Sequence, residues 1–262
     1  MVLERLISMR AAIKQPSWMF LIGGVVSVVS LFVAFFVFQT SIGMFTSLLI
    51  TIAMTPLMLN LVRYDENREE QEKAGTGMNF IQRHKTILKV YTAFFAGMIL
   101  SLSLVYMFLP EATVEKIFSD QINQISAIRG SFLFSDTFTK IVFNNIGVLI
   151  LAFFFSFLYG AGAIFILSWN ASVLSTAIGI AAKSYGGIGA FPLAVLTFFP
   201  HGSLEILAYF IGGIAGGLAS TVITKRKSGK FWLIMKDGLM LMVISVIILV
   251  IAGLIETIEL AA

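Results

Sequence analysis

The sequence predicts an all-α fold, a polytopic transmembrane helical bundle of about seven spans with a broken fifth segment. Three observations predict it. Hydrophobic residues make up 58% of the 262 residues and charged residues only 12%, about half the charged fraction of an average soluble domain. The apolar residues fall into stretches of about 20, the length at which a helix crosses a bilayer core. The 25 Phe and 22 Gly suit lipid contact and close helix packing.

The first two predicted spans, residues 17–38 and 44–62, form a hairpin because the short uncharged stretch between them allows only a tight connection. The first apolar stretch is longer than the core of a secretory signal, so we expect it to remain in the mature protein. The following connection, residues 63–85, mixes acids, bases and helix formers. This pattern predicts a solvated helical extension of the second span.

The third and fourth predicted spans cover residues 87–109 and 142–169. Between them, residues 114–122 alternate apolar and polar side chains, which predicts a short amphipathic helix that either meets a partner or lies on lipid headgroups. The fourth span carries a stripe of small and polar residues, with Asn144 and Asn145 near one end and Asn170 near the other. Such a stripe either lines an aqueous path or forms hydrogen bonds between helices.

The fifth predicted span, residues 171–200, is apolar but contains several residues that interrupt helices. Glycine adopts positive φ angles and proline removes a backbone donor. The interrupting residues at and just after this span are Gly186, Gly187, Gly189, Pro192, Pro200 and Gly202. We therefore predict two half-helices, 171–182 and 190–199, which either surround a site at membrane depth or form an amphipathic hairpin at the interface.

The sixth and seventh predicted spans, residues 203–223 and 231–255, complete the bundle. The sixth contains glycines four residues apart, the spacing by which helix backbones approach closely. These glycines are Gly212, Gly213, Gly216 and Gly217. The glycine face predicts either packing within the bundle or a homodimer.

The basic residues predict the orientation of the chain in the cell membrane. Fourteen of the 18 Lys and Arg residues lie in three places: before residue 17, in residues 63–89 and in residues 225–236. Because cytoplasmic loops collect basic residues, we expect a cytoplasmic amino terminus and, after seven crossings, a carboxyl terminus outside. Because these basic residues lie beside apolar spans, we attribute the net charge of +4 to contact with the lipid bilayer, which is the expected partner. We expect no nucleic acid as a partner.

Polar residues at membrane depth are the candidates for function because such positions are costly. His201 and Glu205 are four residues apart and share one side of a helix. Either Glu205 braces the broken segment together with His201, or the two residues form an ion or proton site. A metalloprotease site does not fit, because the chain has two His and no His-Glu-x-x-His motif. Without Cys there is no thiolate chemistry. We expect no metal, cofactor or enzymatic activity.

A series of short motifs resembles the stage II sporulation protein M family. The motifs are Phe143-Asn144-Asn145, Tyr159-Gly160-Ala161-Gly162, Asn170, Pro200-His201-Gly202-x-x-Glu205 and Ala252-Gly253-Leu254-Ile255-Glu256. The resemblance covers roughly residues 87–258. It implies a family-like membrane core over residues 87–262, preceded by an added transmembrane hairpin and cytoplasmic helical loop over residues 1–86.

The resemblance also implies a non-enzymatic function. In spore formers the family member is required for engulfment and works alongside peptidoglycan-degrading enzymes as a localising scaffold. By resemblance, this chain is expected to be a scaffold or assembly factor for envelope-remodelling partners. The residues themselves favour an alternative, a transporter or channel for an ion, a proton or a small solute that uses the buried site of His201, Glu205, Asn144, Asn145 and Asn170.

Overall fold

The computed structural model describes residues 9–71, 85–129, 134–159, 163–225 and 231–261. These residues are almost entirely helical. In chain order, the helices are α1 (Met9–Lys14), α2 (Pro16–Val37), α3 (Ile42–Gln71), α4 (Lys85–Phe108), α5 (Glu111–Ile117), α6 (Ser119–Arg129), α7 (Phe134–Tyr159), α8 (Ala163–Tyr185), α9 (Phe191–Lys225) and α10 (Phe231–Ala261). A 3-10 turn, Gly187–Ala190, joins α8 to α9.

Among the described residues, seven helices are long and apolar enough to cross a membrane, namely α2, α3, α4, α7, α8, α9 and α10. The prediction of a polytopic transmembrane bundle is therefore confirmed. The second span continues well past its apolar part, as α3 ends only at Gln71. Two of the predicted boundaries, however, are wrong.

The predicted fourth span, residues 142–169, is divided between two helices. α7 ends at Tyr159 and α8 begins at Ala163, and residues 160–162 between them lie outside the described residues. The predicted half-helix 171–182 is therefore the second part of a full-length span, and Asn170 lies inside α8 rather than at the end of a span. Hydropathy does not locate this boundary, because apolar residues continue on both sides of it.

The predicted break at Pro200 and Gly202 is also wrong. α9 is continuous from Phe191 to Lys225 and contains Pro200 in its interior, so the predicted half-helix 190–199 is the beginning of this span. Proline removes one backbone donor, whereas ending a helix in lipid would leave several backbone groups unsatisfied. Gly202 serves packing, because a Cβ built there would lie 3.1 Å from the side chain of Leu174 in α8.

The remaining interrupting residues lie where α8 ends and α9 begins. Gly186 and Gly187 have φ angles of +123° and +82°, a region that glycine adopts without strain. Gly189 belongs to the 3-10 turn, and Pro192 lies in the first turn of α9, where a missing N–H breaks no intrahelical bond. These residues connect two full spans and do not interrupt one.

The spans form two groups with one helix between them. α2 packs against α3 and α4, whereas α9 packs against α7 and α10. α8 contacts both groups and is the most buried of the seven spans. Large apolar side chains such as Phe36, which is 79% exposed, and Leu196 point outward, as expected for surfaces in contact with lipid.

The predicted amphipathic helix at residues 114–122 is instead two short helices, α5 and α6, that meet at Phe118. We call these two helices the platform. Its large apolar side chains Val114, Ile117, Phe118 and Ile125 are buried against the bundle. Gln121 Nε2 donates to Ser172 Oγ over 3.2 Å, and Trp169 Nε1 donates to Gln124 Oε1 over 2.8 Å. Both bonds attach α6 to α8, so the platform is fixed to the most buried span.

The contact between α2 and α4 depends on glycine. A Cβ built at Gly97 would clash with the backbone carbonyl of Phe20, and one built at Gly23 would clash with that of Phe94. The two backbones therefore approach more closely than any side chain allows. The neighbouring Gly24 has ordinary space, because its Cβ would lie 3.6 Å from the nearest atoms.

We expect Gly97→Ala to lower the free energy of unfolding by about 1–3 kcal/mol, the usual cost of overpacking a filled interface. Gly24→Ala is the matched control and should change stability little. Unfolding of the purified chain in detergent micelles measures both values. Equal stability of the two variants would show that the close α2–α4 contact is wrong.

Candidate functional site

Three polar side chains share one face of α9. His201, Glu205 and Tyr209 follow each other at intervals of four residues and therefore lie above one another on the helix. His201 is 5% exposed and Tyr209 is 2% exposed, and Glu205 is partly buried. This face of α9 points into the bundle and away from lipid.

α7 supplies amides to this face. Asn145 Nδ2 donates to Glu205 Oε1 over 2.5 Å, and Asn144 Nδ2 donates to Asn145 Oδ1 over 3.2 Å. The chain of bonds orients the Asn145 side chain, whose donor then faces the carboxyl group. Asn145 therefore joins α7 to α9 through the Glu205 carboxyl group.

α10 supplies two acids from its last turns. The Nδ1 atom of His201 lies 2.5 Å from Glu259 Oε2, and the ring of Phe198 meets the imidazole edge-on. Glu256, on the same helix as Glu259, lines one cavity together with Glu205.

These side chains surround a cavity of about 90 Å³ between α6, α7, α8, α9 and α10. The polar residues that line it are Gln124, Asn144, Asn145, Asn170, His201, Glu205, Tyr209 and Glu256. Since each water in the liquid has about 30 Å³, the cavity has room for a few waters or a small ion. Pockets for drug-sized molecules start at about 300 Å³, so an organic substrate of that size does not fit.

One polar atom at this cavity lacks a partner. The hydroxyl of Tyr209 is buried and forms no hydrogen bond to any described residue. A buried hydroxyl without a partner is unfavourable by about 1–3 kcal/mol. This hydroxyl is therefore available to a partner from outside the protein.

The five polar residues singled out in the sequence all line this one cavity, although they lie on three helices. Asn144 and Asn145 come from α7, Asn170 from α8, and His201 and Glu205 from α9. Asn170 Nδ2 donates to the backbone carbonyl of Ile166, so this side chain forms a hydrogen bond within its own helix. The use of these five residues in transport or any other function stays a prediction.

Sequence reasoning missed the contribution of α10 and of Tyr209. Neither Glu256 nor Glu259 was among the predicted site residues, whereas Glu256 lines the cavity and Glu259 contacts His201. Their spacing of three residues at the end of an apolar helix was the available signal, because it places both acids on one face. For Tyr209, the sequence offered no evidence of a place in the site beyond its spacing of four residues from Glu205.

The glycine face of α9 is used within the bundle. Cβ atoms built at Gly212 and Gly216 would clash with α7, at the side chain of Leu149 and the carbonyl of Phe153, and one at Gly213 would lie 3.1 Å from Ala163 of α8. Gly217 is likewise buried. A homodimer through this face would need surface that these contacts already cover, so any homodimer stays a prediction that must use another surface.

Among the described residues, no group of three or more His, Asp or Glu side chains is arranged to hold a metal ion. The site is instead an arrangement of carboxyl, amide and hydroxyl groups around one imidazole. Such groups can exchange protons, hold water or bind a small cation through oxygen.

Fold and site together define the class, a multi-pass helical membrane protein with a polar cavity enclosed by its helices. A family model, SpoIIM (Stage II sporulation protein M), matches residues 32–258, and the chain belongs to this family. Neither a curated protein nor a solved structure matches the chain.

The family match begins within α2 and so extends further toward the amino terminus than residues 87–258, the range expected from the motifs. It includes the second span and the connection after it, which the sequence analysis treated as an addition to the family core. The division of the chain into a unit of residues 1–86 and a core of residues 87–262 stays a prediction.

Replacing Asn145 by Ala should lower the free energy of unfolding by about 1–3 kcal/mol, because the Glu205 carboxyl group loses its amide donor in a poorly solvated place. Asn144→Ala is the control, since Asn144 donates only to Asn145 among the bonds described above, and it should cost less. Chemical unfolding of both variants in detergent measures the difference. If Asn144→Ala is the more harmful of the two, the assigned network is wrong.

Proposed function

We propose that the protein is a non-enzymatic membrane scaffold or assembly factor for envelope-remodelling partners. Membership of the stage II sporulation protein M family supports a role of this kind. The observation that carries the proposal is the platform, because α6 is bonded to the buried span α8 through Gln121 and Gln124. A partner bound to the platform is thereby held at a fixed place on the membrane.

The surface of the platform supports the same proposal. Glu111 and Glu115 are exposed on α5, whereas the apolar side chains of the platform face the bundle. Lys116 also lies at the surface, with its Nζ 5.5 Å from the centre of the Phe35 ring. The accessible face is therefore polar and favours contact with a protein or with solvent over insertion into lipid.

We propose that the platform faces outward, with the amino terminus in the cytoplasm and the carboxyl terminus outside. The corrected spans support this orientation as well as the predicted ones do. Seven crossings place the connections after α3 and after α9, which carry most of the basic residues, on the same side as the amino terminus.

The chemistry of the cavity supports a non-enzymatic role. The side chains that line it include no Ser, Thr, Lys or Cys, the residue types that most often act as nucleophiles. His201 is engaged by Glu259 through Nδ1. Since the lining gives His201 no Ser, Thr, Lys or Cys to activate, we infer that the groups at the site act as contacts between helices.

A second candidate function is the passage of an ion or a proton through the bundle. The cavity favours this candidate, because ionisable groups enclosed among membrane helices often mark ion pathways. Glu205, Glu256 and His201 all line the cavity. The two candidates are separated by whether the purified protein alone moves an ion.

The scaffold proposal is tested by labelling from outside the cell, which the absence of Cys from the natural chain makes selective. A Glu115→Cys variant should react with a membrane-impermeant photo-crosslinker and, on illumination, form adducts with envelope proteins. Lys236→Cys, at the other end of the bundle on α10, should not react. Leu196→Cys, exposed on the surface of α9 expected to face lipid, should give no protein adducts.

Reaction of Lys236→Cys in place of Glu115→Cys would overturn the orientation. Correct labelling without any envelope-protein adduct would overturn the scaffold. The purified protein in vesicles decides the second candidate: a scaffold gives no flux. A transporter gives proton or alkali-ion flux that is lost in Glu205→Gln and kept in Ser203→Ala, whose side chain is exposed on α9.

A further inference from the structure

The cavity between α6 and α10 carries an excess of acidic groups. Its lining contains the carboxyl groups of Glu205 and Glu256 and the imidazole of His201, and none of its residues is Lys or Arg. The imidazole contacts a third acid, Glu259, through Nδ1. Negative charge enclosed among membrane helices needs compensation by a proton or a cation.

The side chains that line the cavity offer little compensation of their own. Among them His201 alone can carry positive charge, and its Nδ1 already contacts a third acid, Glu259. The carboxyl groups of Glu205 and Glu256 are therefore left for a proton or a cation from outside the protein.

The hydroxyl of Tyr209 points to the same place by an independent observation. Tyr209 is 2% exposed, lines the cavity and has no hydrogen-bond partner among the described residues. A phenol oxygen is an acceptor as well as a donor. It is therefore available to a cation or to a water that accompanies one.

We propose that this cavity binds one monovalent cation through oxygen atoms of Glu205, Glu256 and Tyr209. The inference deepens the second candidate function, on whose cavity it rests, but binding requires no flux. It also assigns a role to Tyr209 and leaves His201 outside the ligand set, in contact with Glu259.

The class of ligand follows from the number and type of donors and from size. Two carboxyl groups and one phenol oxygen are fewer than the six to eight oxygen ligands of calcium sites, which favours a monovalent ion. Transition-metal sites usually take imidazole or thiolate ligands, and the lining of this cavity provides a single imidazole, that of His201. The volume of about 90 Å³ holds an alkali ion or ammonium with one or two waters.

Thermal unfolding of the full chain in nanodiscs tests the proposal. Sodium, potassium or ammonium chloride replaces N-methylglucamine chloride at constant ionic strength and pH. We expect the unfolding midpoint to rise with concentration of at least one of the three cations and then to saturate, because a ligand that binds only the folded state stabilises it. Tyr209→Phe should raise the apparent dissociation constant about tenfold, the effect of one lost polar contact.

Tyr106→Phe is the matched control, as Tyr106 is also buried but lies on α4 and does not line the cavity. It should bind the cation like the natural chain. Glu205→Gln should abolish the response, and if this variant does not fold, Tyr209→Phe alone decides.

Three results would overturn the inference. These are a midpoint that follows no cation, a midpoint that responds to acid alone, and a cation response that is unchanged in Tyr209→Phe. Cation binding without flux would support the inference and count against transport. Flux without a saturable cation effect would support transport and overturn the inference.

Discussion

Polar side chains enclosed among lipid-spanning helices must find partners on neighbouring helices, and this constraint determines how α7, α9 and α10 are arranged. Glu205 of α9 accepts from Asn145 of α7, and His201, one turn earlier, contacts Glu259 of α10. A shift of α9 by one residue would separate both pairs, and a shift of α7 or of α10 would separate one of them. Because unsatisfied polar groups are costly where water is scarce, these two contacts fix the register of the helices.

The other group of spans, α2, α3 and α4, is arranged by a different device. Gly23 and Gly97 bring the backbones of α2 and α4 together, so packing and not polar contact determines that interface. α8 joins the two groups and also carries Ser172 and Trp169, which hold α6. The platform and the cavity therefore share one support, and a ligand in the cavity lies beside the helix that a bound partner would contact.

The number of spans and the polar residues that face inward could be predicted from the sequence. The residues at which the helices begin and end could not. Seven apolar stretches of the length that crosses a bilayer predict seven spans. A polar residue within such a stretch is expected to face the interior of the bundle. The predicted break at Pro200 was wrong because losing one backbone donor costs less than leaving the several backbone groups of a helix end unsatisfied in lipid. Glu259 was not predicted as a site residue because sequence does not reveal how far a helix end is enclosed by its neighbours, and Tyr209 resembles any core aromatic residue.

The central claim is that polar contacts between helices hold α7, α9 and α10 together. A double-mutant cycle on His201→Phe and Glu259→Gln measures it most directly, by unfolding the natural chain, both single variants and the double variant in one detergent. The account predicts a coupling of about 0.5–3 kcal/mol, the range found for residues in contact. His201→Phe combined with a change at the distant Glu115 should be additive. Additive costs for His201 and Glu259 would contradict the account.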